Sequence, residues 1–269
     1  CQNNLKQMGL AVQNASDVYQ QQVPPLLGYY PGQYSTTTSG TNLYGTPFIF
    51  ILPFIEQQNM YNLMLASIGT YTQINAAYSE ASTLKTGLKV YLCPSDPSIT
   101  LTSNPLNTSY AVNALYVGIS NENTAAGVYP PAATFTIPTT TPPAAGGARF
   151  PATIQNDGTS NTIVWTEKLG ICQGYSNTWP INAFTIGTTA MIPAVGWLSP
   201  TYTPPNSYFQ IGANQNTCVS AYNASSGHTG AILAGLGDGS VKIVAQGMSS
   251  TAWNLGLTPN DGYPMTPDW

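Results

Sequence analysis

The run GHTGAILAGLGDGSVKIV, residues 227–244, decides the fold of the C-terminal part of this chain. Its two apolar segments, AILAGL and VKIV, flank Asp238-Gly239. An Asp-Gly pair between apolar runs predicts a β-hairpin, and Gly239 can take the positive φ that a type I′ turn requires. Nine residues separate His228 from Asp238. The two side chains should therefore lie at opposite ends of one strand and its turn.

The composition is unusual in its charge. Only 6% of the 269 residues are charged, against about 25% in an ordinary soluble domain. Because the hydrophobic share is a normal 42%, uncharged polar residues replace the charges. Such a surface suits subunits that contact one another. The alternative is a secreted monomer adapted to acid or heat, or covered in glycan.

Several functional classes are excluded by the same composition. The net charge is −4, and the six basic residues are spread singly, so no phosphate-binding face can form and nucleic acid is not a partner. No apolar run reaches the roughly 18 residues of a membrane span. There is no signal peptide, and the chain starts at Cys1 already in a helical pattern. We therefore expect that an upstream segment has been removed.

Four scattered cysteines, with no zinc-type or haem-type spacing, predict two disulfides in an extracellular chain. Three connectivities are open, and local order favours Cys1–Cys93 and Cys172–Cys218. The first pair would tie the N-terminal helix to the rest of the domain. The alternative is four buried thiols.

Apolar periodicity predicts a helix over residues 2–22, which ends before Pro24-Pro25. Its apolar stripe consists of Leu5, Met8, Val12, Ala15 and Tyr19. Further along, we expect a helix from Pro53 to about Ser67, another over 73–86, a strand in LKVYLCPSDP (88–97) and a strand over 162–166.

We expect a single domain over residues 1–269. Its expected parts are the N-terminal helix at 1–22, a helix and strand region at 23–172 with a polar loop at 134–147, an irregular aromatic-rich insertion at 173–220, and the hairpin with a tail at 221–269.

Four segments, taken in order, resemble those of a bacterial type IV pilin-like family of unknown function, known by a prepilin-type N-terminus and a His-x9-Asp-Gly signature. The segments are CQNNLKQMGLAVQNASDVY (1–19), LPFIEQQNMYN (52–62), LKVYLCPSDP (88–97), and NDGTSNTIVWTEK (156–168) followed by the hairpin. The signature residues are His228, Asp238 and Gly239. Asp157 and Glu167 belong to the fourth segment.

The resemblance implies an α+β, pilin-like fold, in which an N-terminal helix packs on an antiparallel β-sheet with long irregular, loop-rich insertions. Members normally carry a leader, trimmed by a prepilin peptidase, and a hydrophobic half-helix. This sequence departs from that pattern because it does not contain the half-helix. If the half-helix is removed by processing, we expect the subunits to join through their globular domains; the alternative is that the sequence is a truncated form of a chain that has it. The family has no established enzymatic activity or catalytic residues.

His228 is the sole histidine, and a Ser-His-Asp triad would need it together with Ser225 or Ser226 and Asp238. No Gly-x-Ser-x-Gly elbow exists, and residues so close in a hairpin rarely form a nucleophile, base and oxyanion hole together. We expect structural roles for His228 and Asp238, with hydrogen bonds to backbone or loop, and no enzymatic activity.

The ten carboxylates are scattered, and nothing selects a glycosidase pair such as Asp157 with Glu167. Glu56 and Glu167 are expected to be partly buried, since few cations can pair with them. The oxygen side chains from Asp157 to Asn161 alternate as in calcium loops, so calcium is the one candidate cofactor. The alternative is an Asx-turn in which Asp157 caps its own loop.

Three glycosylation sequons begin at Asn14, Asn107 and Asn223, and Thr139 and Thr140 are candidates for O-linked sugar. The sequence favours a non-enzymatic subunit that assembles with copies of itself at the bacterial cell surface. The alternative is a pseudopilin of a secretion system, or a surface-anchored module that stacks glycans on Trp179 or Trp197.

Overall fold

The computed structural model describes residues 1–31, 42–68, 73–100, 104–117, 148–154, 156–180, 190–196, 209–219, 223–259 and 261–269. The polar loop predicted at 134–147 lies outside these ranges. Six α-helices are α1 (Gln2–Val18), α2 (Pro47–Phe50), α3 (Gln58–Ala66), α4 (Gln73–Ser82), α5 (Ala114–Val117) and α6 (Ser250–Leu257). Within the same ranges, no helix has the length and apolar character needed to cross a membrane.

Within the described residues, twelve strands accompany the helices. They are β1 (Gly28–Tyr30), β2 (Leu43–Gly45), β3 (Tyr110–Asn113), β4 (Ile163–Glu167), β5 (Ile171–Cys172), β6 (Tyr175–Asn177), β7 (Ala190–Met191), β8 (Ala194–Val195), β9 (Phe209–Ile211), β10 (Ala224–Ser226), β11 (Ala231–Leu236) and β12 (Val241–Ala245). Strands β5, β6 and β7 form a small sheet, and β1–β2 and β9–β10 are isolated pairs.

The main sheet has the strand order β12–β11–β4–β3–β8. Its neighbours run antiparallel except β3 and β8, which are parallel. The prediction of an α+β chain is confirmed, but the sheet is mixed rather than antiparallel. The parallel strand β8 (Ala194–Val195) comes from the segment 173–220, which is predicted as an irregular, aromatic-rich insertion.

Helix α1 packs on the main sheet, where it contacts β11, β4 and β12. Its buried residues include Leu5, Met8, Val12 and Ala15, as the apolar stripe predicts. Burying each large apolar side chain contributes about 1.5–3 kcal/mol. The helix ends at Val18 instead of residue 22, because Gln20 and Gln21 adopt positive φ angles of 55° and 64°.

The predicted hairpin is present, as β11 and β12 pair antiparallel. Its turn closes when the Gly239 amide donates to the Leu236 carbonyl at 3.0 Å. Gly239 has a φ of 80°, whereas Asp238 is not among the residues with positive φ. The predicted type I′ turn, which needs positive φ at both central residues, is therefore wrong. Asp238 instead stabilises the turn by accepting the Ser240 amide at 2.8 Å.

The strand predicted within 88–97 is wrong. Residues Lys89–Tyr91 form a 3₁₀-helix, and this conformation places the Tyr91 ring edge-on to Phe48 at a centroid distance of 5.0 Å. The Tyr91 hydroxyl also donates to the Phe48 carbonyl. Burial of one aromatic side chain thus overrides the strand-like pattern.

The helix predicted from Pro53 is interrupted. A 3₁₀-helix over Leu52–Ile55 ends at Glu56, whose φ of 62° is left-handed, and α3 begins only at Gln58. Glu56 is exposed at this break, so the prediction that it is partly buried is wrong. The helix predicted over 73–86 ends at Ser82.

Apolar cores cover both faces of the main sheet. On the α1 side, Trp165 is fully buried and its ring centroid lies 4.9 Å from that of Phe48. On the other side, Trp253 of α6 lies 4.8 Å from Phe209. Adjacent residues of β11 alternate between the two, since Ile232 joins the second core and Leu233 packs against the first.

Candidate functional site

The two ends of β11 hold the signature residues apart. Asp238 lies in the hairpin turn, whereas His228 precedes β11 and faces the end of β4. There it meets Glu167 and the Cys1–Cys93 disulfide; the side-chain donor atoms of these four residues lie within 4.8 Å of one another. We name the group of Cys1, Cys93, Glu167 and His228 the junction.

Glu167 is the centre of the junction. Its Oε1 lies 3.0 Å from His228 Nε2. Its Oε2 accepts hydrogen bonds from the Ser226 hydroxyl at 2.8 Å and the Leu233 amide at 3.0 Å. The Glu167 side chain is 3% exposed and that of His228 31%. Burial raises the pKa of Glu167, while its hydrogen bonds and His228 oppose that rise.

Close packing keeps His228 beside Cys93. A Cβ on Gly227 would stand 2.2 Å from the Ser95 carbonyl oxygen. Only glycine allows the chain before His228 to approach the turn after Cys93 so closely. His228 Nε2 consequently lies 3.7 Å from Cys93 Sγ.

The turn after Cys93 is itself anchored to the loop that follows β4. The Asp96 carboxylate is buried, and it accepts the Gly170 amide at 2.9 Å and the Ser98 amide at 2.9 Å. Ser98 in turn accepts the Ile171 amide at 3.0 Å through its hydroxyl oxygen. The Cys-Pro-Ser-Asp segment thus forms a docked turn that fixes Cys93 against the sheet.

Two disulfides are present, Cys1–Cys93 and Cys172–Cys218, which is the pairing that local order favours. The first joins the start of α1 to the docked turn. The hairpin holds α1 again further along, because Gln13 Nε2 donates to the Gly237 carbonyl at 2.6 Å. The helix is therefore fixed to the sheet at two separated points.

Residues 1–249, which include the whole junction, match the family described as a protein of unknown function (DUF1559). The chain belongs to this family. No curated protein and no solved structure matches it. The description of the DUF1559 family assigns it no function. The function of this member is therefore inferred from its own structure.

The arrangement of serines in this DUF1559 protein differs from a catalytic triad. Ser226 donates its hydroxyl to Glu167, and its oxygen accepts the His228 backbone amide at 3.1 Å. Ser225 accepts the Leu169 amide at 3.0 Å. Neither serine hydroxyl is joined to the His228 ring by these hydrogen bonds, and that is the contact by which a histidine activates a serine.

The candidate calcium residues take part in a contact with the C-terminal tail. The Asp157 carboxylate accepts the backbone amides of Asp261 at 2.9 Å and Gly262 at 2.7 Å. Asn161 donates its side-chain amide to the Asp157 carbonyl at 2.8 Å. The carboxylate of Asp157 therefore anchors a segment more than a hundred residues away in sequence, and a calcium site here stays a prediction.

The sequon residues differ in exposure. Asn14 is exposed on α1 and Asn223 is half-buried, but Asn107 is 1% exposed. A glycan at Asn107 would not fit the folded protein, so that candidate is wrong. Thr139 and Thr140 lie outside the described residues.

Of the two tryptophans predicted to stack glycans, the structure describes Trp179. Trp179 is fully buried, and its indole N–H donates to the Pro105 carbonyl at 3.2 Å. It therefore has no free face on which a sugar could stack. Trp197 lies outside the described residues.

Sequence reasoning missed two polar residues next to Glu167. Ser226 was considered only as a nucleophile, whereas it orients the carboxylate. Lys168 is buried, and its Nζ donates to the Ala194 carbonyl at 2.8 Å. Burial lowers the pKa of Lys168 from 10.5 to about 7. The sequence signal for the burial of Lys168 is its position directly after a strand of largely apolar residues.

Proposed function

We propose that this protein is a non-enzymatic, pilin-like structural subunit that assembles with copies of itself outside the cell. Exposed apolar side chains on a nearly uncharged surface carry the proposal. Val18 of α1 is 61% exposed and Ile243 of β12 is 64% exposed. A subunit that assembles with its own copies can bury such side chains against its neighbour.

The two side chains belong to elements that pack together. Ile243 pairs across the hairpin with Leu233, and Leu233 packs against the core that contains Leu5 and Met8 of α1. Cross-strand partners lie on the same face of a sheet. Ile243 thus extends the α1 side of the main sheet to its edge strand, β12. An interface on this side would include both elements.

The two disulfides support a location outside the cytoplasm, because disulfides persist in oxidising compartments. The docking of α1 on the main sheet supports a pilin-like arrangement. A glycan-binding module is supported less well, since the burial of Trp179 removes one of its two candidate aromatic residues. A secretion-system pseudopilin would have the same contacts between α1 and the sheet. It would differ from the proposed subunit in its partners, which would be components of the secretion system.

Electron microscopy and sedimentation velocity of the purified protein test the proposal. We expect filaments or regular oligomers whose abundance rises with concentration. The double variant Val18→Gln/Ile243→Thr removes apolar surface without adding charge, and it should abolish assembly while the melting temperature stays unchanged.

A matched control replaces two exposed polar residues nearby, Gln7→Ala and Gln246→Ala, and should assemble normally. A uniformly monomeric wild-type protein at high concentration would refute the assembly proposal. Assembly that survives in the double variant would place the interface elsewhere on the surface.

A further inference from the structure

The junction brings together two sulfurs, one imidazole nitrogen and one carboxylate oxygen. Cys93 Sγ lies 3.6 Å from Glu167 Oε1 and 3.7 Å from His228 Nε2. Glu167 Oε1 and His228 Nε2 are 3.0 Å apart. Cys1 Sγ completes the set through its bond to Cys93. Sulfur, nitrogen and oxygen donors of these types are the protein ligands of zinc.

These separations fit one tetrahedral ion. Zinc bonds of about 2.3 Å to sulfur and about 2.0–2.2 Å to nitrogen or oxygen place neighbouring ligand atoms about 3.3–3.8 Å apart. Two of the three measured separations fall inside that range, and the third is slightly shorter. Of the three remaining edges, the two that run from Cys1 Sγ to Glu167 and to His228 are no longer than 4.8 Å, and the third joins the two sulfurs, which are now covalently bonded. Breaking that bond lets them separate to the distance that an ion requires.

We propose that the junction, once its disulfide is reduced, is a binding site for one thiophilic divalent cation such as Zn²⁺. Cys1, Cys93, His228 and Glu167 are the ligands. The ion then ties the start of α1 to the sheet in place of the disulfide. This site is independent of the assembly proposed above.

The surroundings of the junction orient its ligands. Ser226 and the Leu233 amide hold Glu167 Oε2, which leaves Oε1 directed at His228 and the sulfurs. Hydrogen bonds of this kind fix metal ligands in place and tune the metal's affinity. Cys1 and His228 are each partly exposed, so an ion has access from solvent.

Electrostatics favour an ion in the reduced state. Two thiolates beside the Glu167 carboxylate would place three negative charges together in a largely buried site. A divalent cation offsets two of them. In the oxidised state the two sulfurs form an uncharged disulfide. Neither sulfur is then a thiolate ligand, so the ion should not bind.

The reduction step balances through thiol–disulfide exchange with a dithiol reductant of the thioredoxin class. A thiolate of the reductant attacks one sulfur of the Cys1–Cys93 bond, and its second thiol resolves the mixed disulfide. The reductant leaves as its own disulfide, and its two electrons and two protons end on Cys1 and Cys93. Metal binding then releases those protons as the sulfurs become thiolates.

Cobalt(II) is the probe, because zinc is a closed-shell ion without useful absorbance. Cobalt is titrated into the full chain, oxidised or reduced with a phosphine, and the thiolate-to-cobalt absorbance is followed. We expect one cobalt per reduced chain, tetrahedral bands in the visible, and no thiolate band in the oxidised chain.

Variants assign the site. Cys1→Ser should lose the band, whereas Cys172→Ser should keep it, since Cys172 belongs to the other disulfide. His228→Gln and Glu167→Gln should each weaken binding by about tenfold or more. An unchanged affinity in His228→Gln, or equal cobalt binding by oxidised and reduced chains, would overturn the proposal.

The melting temperature gives a second measurement that does not depend on absorbance. Zinc should raise the melting temperature of the reduced chain and leave that of the oxidised chain unchanged. If reduction loosens the fold, zinc should restore the near-ultraviolet circular dichroism of the native protein. A reduced chain that zinc neither stabilises nor refolds would equally overturn the proposal.

Discussion

Removing the Glu167 side chain should destabilise the protein far more than removing its partner His228. In Glu167→Ala, the Ser226 hydroxyl, the Leu233 amide and the His228 ring all lose their partner. The pairing of β11 with β4 begins at Ala234 and Thr166, one residue after Leu233, and Glu167 Oε2 is the acceptor of the Leu233 amide. Each buried donor left unsatisfied costs about 1–3 kcal/mol.

The hydrogen bond of the Ser226 hydroxyl is buried and that of the Leu233 amide is partly buried, while His228 can turn to water through its 31% exposed side chain. The loss therefore rests mainly on Ser226 and Leu233, and it should reach about 3–5 kcal/mol in the free energy of unfolding. His228→Ala leaves Glu167 with two hydrogen bonds, and it should cost only about 1–2 kcal/mol.

Urea unfolding followed by tryptophan fluorescence measures both changes at neutral pH. Glu56→Ala is the control, because Glu56 is exposed, and it should change the free energy by about 0.5 kcal/mol or less. A loss below about 1 kcal/mol in Glu167→Ala, or a larger loss in His228→Ala, would show that Glu167 does not organise the junction.

Three further outcomes follow from burial and close packing. Burial lowers the pKa of Lys168 from 10.5 to about 7, so between those pH values the unfolded chain binds more protons and stability rises with pH. From pH 7 to pH 9 the rise should be about 2 kcal/mol in the wild type and absent in Lys168→Met, as measured by urea unfolding at each pH. Gly227→Ala should cost about 2 kcal/mol or more by clash with backbone, whereas Gly247→Ala, which meets nothing within 4 Å, should be neutral in thermal melts. Leu5→Ala, at a fully buried position, should lose about 2–5 kcal/mol in urea unfolding; Leu10→Ala, at a position 43% exposed, should lose about 1 kcal/mol or less.

The sequence was sufficient to predict the elements that have a regular apolar pattern or a local turn signal. The stripe on α1 and the apolar runs around Asp238-Gly239 each specify one buried face. The strand at 162–166 was displaced by only one residue, to Ile163–Glu167. The disulfide pairs followed from the order of the cysteines along the chain.

Contacts between distant segments were not readable from the sequence. The 3₁₀-helix at Lys89–Tyr91 depends on Phe48, some forty residues earlier. The junction needs Gly227 against Ser95, and although both residues lie in segments that the sequence singles out, nothing in either segment indicates that they meet. His228 and Glu167 were each singled out in the sequence, but nothing in it indicated that the two side chains meet.

The fixation of α1 also determines how the molecule would respond to a pulling force. A force applied at Cys1 is transmitted through the Cys1–Cys93 disulfide to the docked turn. From the turn it is transmitted through the hydrogen bond of Asp96 with Gly170 to the loop that follows β4. The helix cannot unwind from its N-terminal end one turn at a time, because Cys1, which directly precedes it, is bonded to the docked turn. Force is instead shared at once by the helix and the central strands, so the domain should yield as a unit or hold as a unit.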